Sequence, residues 1–207
     1  LSLFDKNIGG LDDATVSGRL NLEKSELLVN AKASEFVYAG RRFEGIQVNG
    51  DGNADSLNAE ITADDIYLSD SFHFPATALR VSANNDVSNL HLTTRAGKTL
   101  NDAELNASVQ TLSDGIKVHF FPSTFIVNDK KWSLEEDGEL TLRNRYFDAN
   151  KIRFNHANEQ LIISTETDEI TEKPVVLAEF KNINAEDFLP FVLTDPVLKG
   201  RLTGKGK

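Results

Sequence analysis

Apolar residues recur at every second position through almost the whole of this chain. The stretch Gly115 to Asn144, GIKVHFFPSTFIVNDKKWSLEEDGELTLRN, shows the pattern at its clearest. Ile116, Val118 and Phe120 alternate with polar neighbours, and so do Phe125 and Val127, Trp132 and Leu134, and Leu140 and Leu142. A period of two places successive side chains on opposite faces of an extended strand, so each segment has one apolar and one polar face. Asn-Asp and Asp-Gly pairs between the runs favour tight turns, which makes this stretch three or four short strands.

The same alternation runs from Ala14 to Leu22, Leu27 to Ala33, Phe36 to Ala39, Phe43 to Val48, Leu57 to Ala63, Ile66 to Leu68, Leu79 to Ala83, Leu90 to Thr94 and Ala103 to Val109. It returns at Ile152 to Phe154, Leu161 to Ser164 and Val175 to Phe180. Most runs have strand length. Gly9-Gly10, Asn49-Gly50-Asp51-Gly52, Asn84-Asn85-Asp86, Asp114-Gly115 and Asp137-Gly138 read as the turns between them. Strands in sequence joined by short turns imply an all-β fold, a long and mostly antiparallel meander. Rows such as Leu57-Asn58-Ala59-Glu60-Ile61 and Leu105-Asn106-Ala107-Ser108-Val109 resemble each other, but their spacing varies, which argues against a regular β-helix of fixed coil length and for a long, irregular meander. No Pro-, Gly- or Ser-rich linker divides the chain. We therefore expect one continuous β-domain over 1–183, followed over 184–207 by a short helix and the start of a further β segment. That helix, near 185–192, is marked by Asn184 as N-cap and by Glu186 and Asp187 in the first turn, with Pro190 ending or kinking it. Its expected role is a plug or cap for an end of the sheet.

Composition narrows the function. With 22 basic and 32 acidic residues among 207, the formal charge of −10 repels a phosphate backbone, so nucleic acid is not an expected partner. Thirteen Phe beside one Trp and no Met suit broad apolar sheet surfaces. Cysteine is absent, which removes disulfides, thiolate metal sites and a cysteine nucleophile. No run approaches the roughly 18 to 20 apolar residues that span a bilayer. Leu198-Lys199-Gly200-Arg201-Leu202-Thr203-Gly204 opens a new alternating segment, and we read the chain as part of a longer protein.

Candidate reactive groups are few. Asp51-Gly52-Asn53-Ala54-Asp55 offers oxygens at positions 1, 3 and 5 of an EF-hand-like loop, but Ser56 and Thr62 stand where the loop needs Gly and Glu, so a plain turn is expected. His73, His91, His119 and His156 lack zinc-ligand spacing and read as solvent-facing strand residues. Glu135, Glu136 and Asp137 are adjacent, whereas paired glycosidase carboxylates converge from separate elements, so they read as a solvated turn. Ser113, Ser123 and Ser133 lack a nucleophile elbow, and Gly204-Lys205-Gly206-Lys207 lacks the first glycine of a phosphate loop. Neither enzyme, metal nor cofactor is expected. What remains is the apolar face, which either closes against a second sheet as a sandwich or stays open as the inside of a curved sheet. Periodicity does not separate the two, and sandwiches are the commoner outcome.

Lys117-Val118-His119-Phe120-Phe121-Pro122-Ser123-Thr124-Phe125-Ile126-Val127-Asn128-Asp129-Lys130-Lys131-Trp132-Ser133-Leu134 resembles the TamB family of translocation and assembly module proteins, within the AsmA-like superfamily, in a Bacteroidetes-like variant. The Ser-x-Phe-x-Val-Asn-x-x-x-Trp-x-Leu row is followed by an acidic turn and Gly138-Glu139-Leu140-Thr141-Leu142, then by Glu159-Gln160-Leu161-Ile162-Ile163, Asn182-Ile183-Asn184 and Leu198 to Gly204. The resemblance implies a sheet curved lengthwise into a U-shaped trough, a β-taco, within a long protein anchored in the inner membrane and crossing the periplasm. It implies phospholipid acyl chains as cargo, an outer-membrane barrel of the Omp85 type as partner, and a part in lipid transport and outer-membrane protein assembly. Anchor and barrel-docking parts cannot be placed on these residues. Candidate groove residues are Ile116, Val118, Phe120, Phe125, Val127, Trp132, Leu134, Leu140, Leu142, Ile152 and Phe154, expected on one concave apolar surface. Two alternatives stay open: a scaffold that pairs its sheet edges with outer-membrane proteins, and an extracellular β-solenoid adhesin or glycan binder with aromatic platforms on its outer face.

Overall fold

The computed structural model describes residues 7–69, 72–95, 100–127, 129–135, 138–143, 146–168, 173–188 and 200–206. The protein is all-β, a long antiparallel meander with 17 strands among the described residues. It divides into two compact units, Leu1–Glu104 and Leu105–Lys207.

In the first unit, β1 (Ile8–Asp12) and β2 (Thr15–Asn21) share one edge of β3 (Glu26–Tyr38). From β3 the ladder continues in chain order through β4 (Arg41–Gly52), β5 (Ser56–Ser69), β6 (Phe72–Asn84) and β7 (Val87–Thr94), every register antiparallel. These strands are longer than the alternating runs. The runs at Leu27 to Ala33 and Phe36 to Ala39 form one strand, as do those at Leu57 to Ala63 and Ile66 to Leu68. Two expected turns are strand instead: Gly9-Gly10 lies inside β1, and Asn49 to Gly52 belongs to β4. Pairing on both sides of Gly50 and Gly52, with Val29 and Leu27 on β3 and Ala59 and Leu57 on β5, overrides their turn preference. The hairpin turn falls just after them, where the Asn53 side chain accepts from the amides of Asp55 and Ser56 at 2.9 Å each.

β8 (Leu100–Leu112) runs across the division between the units. In the second unit, β8, β9 (Gly115–Phe120), β12 (Glu139–Arg143) and β13 (Tyr146–Asn150) form one antiparallel ladder. A second ladder runs through β10 (Ser123–Val127), β11 (Lys130–Leu134), β14 (Ile152–His156), β15 (Glu159–Thr167), β16 (Pro174–Asn184) and β17 (Arg201–Gly206). Ala185–Phe188 forms one helical turn, α1. The rest of the helix expected to residue 192 lies outside the described residues.

In each unit a seam of backbone irregularity crosses the middle of the strands. Left-handed φ values occur at turns, as at Ser25, Ala39, Asn85, Asp129 and Ala157, but also inside or between collinear strands, at Asp13, Gly45, Ala76, Lys151 and Asn182. The apolar phase changes there. On β3 to β6 it steps by three residues, from Ala33 to Phe36, Ile46 to Phe43, Ala63 to Ile66 and Thr77 to Phe74, where the flanking rows step by two. In the second unit the same step separates Phe120 from Ser123 and Ala149 from Ile152.

Hydroxyl groups add side-chain bonds along the seam. Thr94 Oγ1 donates to the Pro75 carbonyl at 2.9 Å, and Thr77 Oγ1 to the Phe74 carbonyl at 3.0 Å. Ser123 Oγ accepts from the Asn106 amide and donates to the Phe121 carbonyl, both at 2.8 Å. Thr165 Oγ1 accepts from the Ala149 amide at 2.9 Å, and Thr203 Oγ1 from the Asn182 amide at 3.0 Å. Such side-chain bonds keep partly buried backbone groups satisfied, which a kinked strand requires.

Candidate functional site

The ladder registers place the apolar residues of the first unit in continuous rows. Val16, Ala31, Val48, Ile61, Leu79 and Leu92 stand side by side, and Gly18, Val29, Gly50, Ala59, Val81 and Leu90 form the next row. The opposite face is polar at the same depth, with Ser17, Asn30, Asn49, Glu60, Arg80 and His91 in one row. Arg80 Nε bonds Glu60 Oε1 there at 2.9 Å. One face is therefore built for water and the other is not.

The apolar face of the first unit is not sealed. Among its described hydrophobic residues only the alanines Ala33, Ala63 and Ala103 are fully buried, and the first two flank the seam. Val29, Val48, Ile61, Leu79, Val81, Leu90 and Leu92 are all half-buried. Toward the turn end Leu27 and Leu57 are exposed, and on the edge strand β2 Val16 is 77 % and Leu20 65 % exposed. A second sheet packed on this face would bury these side chains as a sandwich core does. The rows read as a broad surface of intermediate exposure, deepest along the seam.

The second unit places all eleven candidate groove residues on its apolar rows. Ile116, Val118, Phe120, Leu140 and Leu142 lie on the ladder of β9 and β12, with Val109, Val118, Leu140 and Ala149 in one row. Phe125, Val127, Trp132, Leu134, Ile152 and Phe154 lie on the other ladder, where Ser123, Leu134, Phe154, Leu161 and Phe180 form a row. Side chains of both ladders meet at the seam, where Leu134, Ala149 and Ile152 are buried and Phe120, Leu140, Phe154 and Ile163 pack against them. Ile116, Val118, Phe120, Phe125, Leu140, Leu142 and Phe154 are half-buried. Leu134, Ile152, Val127 and Trp132 instead face packed protein, Trp132 with no exposed surface.

A partly buried charge cluster stands on the Trp132 side of β11. Lys130, two residues away and on the same side of β11, sends Nζ to Glu159 Oε1 of β15 at 2.8 Å and to Asp187 Oδ2 of α1 at 2.6 Å. The Asn184 amide donates to Glu159 Oε2 at 3.3 Å. Burial disfavours charge on Glu159, yet the bonds from Lys130 and Asn184 outweigh it and hold the carboxyl below its usual range. Burial likewise works against the Lys130 ammonium, but Asp187 and Glu159 raise its pKa above the usual lysine value. Neither sequence spacing nor the turn-like Asn-Asp-Lys-Lys context signalled this cluster. Its members lie 29 and 57 residues apart from Lys130.

Two histidines differ from their expected solvent-facing state. His73 Nδ1 lies 3.0 and 2.9 Å from the Asp65 carboxylate oxygens, and its ring stacks on Tyr67 at 5.3 Å. His156 lies beside the Trp132 ring at 5.7 Å, with Nδ1 2.8 Å from the Lys131 carbonyl. The Asp65–His73–Tyr67 group, with Arg42 over the Tyr67 ring at 4.3 Å, is an aromatic cluster on the polar side of its strands, and Arg42 also pairs with Glu44 at 3.3 Å. A polar cleft of about 400 Å³ between β12, β13 and β15 contains Glu139, Asp148 and Glu166. Lys117 already bonds Glu139 at 2.8 Å and is the main reason that carboxyl is held below its usual range. Among the described residues no group of three or more His, Cys, Asp or Glu is placed to hold a metal ion, and no helix is long and apolar enough to cross a membrane.

No family model, curated protein or solved structure matches the chain.

Proposed function

We propose that the apolar face of this chain holds phospholipid acyl chains, and that the protein is a periplasmic, TamB-like conduit supporting lipid transport to the outer membrane and outer-membrane assembly. The observation that carries this reading is the face of β3 to β7, whose large aliphatic side chains line up in register and stay half-buried. Burying a methylene is favourable by about 0.8 kcal/mol, so a C16 chain laid along such rows is held without polar contacts. The seam supports the same reading, since left-handed residues at mid-strand on alternate strands, Gly45 on β4 and Ala76 on β6, let a sheet bend lengthwise toward a U-shaped trough with the apolar rows inside. Attachment to the inner membrane and docking on an Omp85-type barrel rest on the family resemblance alone. The conduit passes its cargo unchanged, so the reading assigns no catalysis.

Native mass spectrometry of gently purified protein, followed by lipid extraction, tests the proposal. Phospholipid retained in stoichiometric amount supports it, and a lipid-free chain in every preparation contradicts it.

The exposed edge strand β2 favours a second reading, a scaffold that pairs with outer-membrane proteins by strand addition. Val16, Leu20 and Leu22 are 77 %, 65 % and 81 % exposed on this edge, and an added strand would extend the apolar rows. Cross-linkers on β2 then capture polypeptide, and capture of lipid alone rejects this second reading.

A further inference from the structure

The apolar face of the second unit ends in a feature that a plain lipid surface does not need. Trp132 and Val127 are 0 % and 1 % exposed, and beside them lie three charged side chains on three separate elements. We propose that α1 is a displaceable plug over the Trp132 end of this face, latched by the bonds from Lys130 to Asp187 and Glu159. Its release lengthens the apolar surface open to an acyl chain.

The placement follows from the contacts. Lys130 and Trp132 share one side of β11, Trp132 pairs with Phe125, and the Trp132 ring lies against that of His156. Lys130 carries α1 to this spot through Asp187, and the Ala185 amide is fixed to the Gly200 carbonyl at 2.8 Å. Ala185 and Asp187 are themselves buried, as is Ile183 at the end of β16. In the first unit, where the ladder is uncovered, Leu27 and Leu57 stay exposed at the turn end of the apolar rows. The burial of Trp132 and Val127 has no counterpart at the turn-end positions Leu27 and Leu57 of the first unit.

The chemistry of the latch makes it releasable. Two buried carboxylates meet a half-buried ammonium here, and the desolvation of the carboxylates offsets part of the attraction. Letting go of α1 returns these charges to water, so opening costs far less than unpacking an equal apolar contact. The helix is one turn of four residues, too short to persist by its own hydrogen bonds. Its position therefore rests on the latch together with the Ala185–Gly200 backbone bond, and the cluster holds one more carboxylate than ammonium. Weakening either salt bridge shifts the plug toward the open state.

Trp132 is the chain's one tryptophan, so its fluorescence reports the plug directly. Asp187→Asn, which keeps the shape and removes the charge, is expected to raise the acrylamide quenching constant of Trp132 severalfold, while Lys130→Arg leaves it near the wild-type value. Hydrogen exchange of the Trp132 indole in the unaltered protein needs no variant to fold. Exchange by a local opening that is insensitive to low denaturant supports the plug. Exchange that follows global unfolding, together with unchanged quenching in Asp187→Asn, overturns it.

What enters behind the plug rests on the acyl-chain reading and is tested separately, with vesicles of phosphatidylcholine brominated on the acyl chains. Quenching of Trp132 in Asp187→Asn but not in the wild type supports the lengthened surface. Equal bromine quenching in the two proteins overturns it. Absence of lipid from both proteins on extraction contradicts the acyl-chain reading itself, while the acrylamide and exchange results still decide whether the plug moves.

Discussion

Thr94 Oγ1 donates to the Pro75 carbonyl at 2.9 Å, one residue before Ala76 adopts a φ of +47°. The bond crosses from β7 to β6 at the seam, where the Pro75 carbonyl also accepts the Arg95 amide at 3.0 Å. Thr94→Val keeps the shape and loses the donor, and is expected to cost about 1–2 kcal/mol. Thr93→Val, on the polar side of the same strand, should stay within about 0.5 kcal/mol. Urea unfolding of the two variants checks the difference.

Gly45 sits on the seam with φ +60°, and a Cβ there would collide with the Asp64 carboxylate. Gly40 also has a positive φ, +77°, but meets nothing within 4 Å. Gly45→Ala should therefore destabilise by about 2–3 kcal/mol, combining left-handed strain with a clash, and Gly40→Ala by only about 1 kcal/mol. Thermal unfolding of the pair gives the comparison.

The Lys130 cluster sets a window of pH dependence. Glu159 has its pKa lowered in the folded state, so its contribution is full above the unfolded value of about 4.3 and is lost as pH falls through the folded value. Lys130 has its pKa raised, so its contribution is present below about 10.4 and is lost as pH rises through the folded value. Glu159→Gln should flatten the acid limb of stability below about pH 5 and leave the limb shallower than in the wild type. Denaturant midpoints measured across that range test the sign.

An uncovered face and a sealed core respond differently to the same change. Leu134→Asn places an amide among Ala149 and Ile152 and should cost about 3–5 kcal/mol. Val81→Asn, on the half-buried rows of the first unit, should cost about 1 kcal/mol because water reaches the new amide. Equal losses in the two variants would mean that the Val81 rows are covered.

The faces of the sheet were legible in the sequence because a period of two fixes them one residue at a time. Strand lengths were not. The break of phase between Ala33 and Phe36 reads as the end of a strand, whereas β3 continues through it and Gly45 on the neighbouring β4 absorbs the change. Asn49 to Gly52 carries turn residues, yet pairing on both sides holds it extended. For the candidate site, periodicity put Trp132 and Ile61 in the same apolar class. Only contacts distant in sequence separate them: Lys130 is 57 residues from Asp187, and no local pattern announces that bond. The seam hydroxyls are equally silent, since Thr77, Thr94, Ser123 and Thr165 look like ordinary strand residues.

Leu79 and Ala78 are neighbours on β6 that point to opposite faces, one in the row of Ile61 and Leu92, the other in the row of Thr62 and Thr93. A photo-cross-linking amino acid at each position, irradiated in the protein as it is made by cells and read by mass spectrometry, asks what touches each face. The account predicts phospholipid adducts at position 79 and none at position 78. Adducts at neither position, or equal adducts at both, would contradict it.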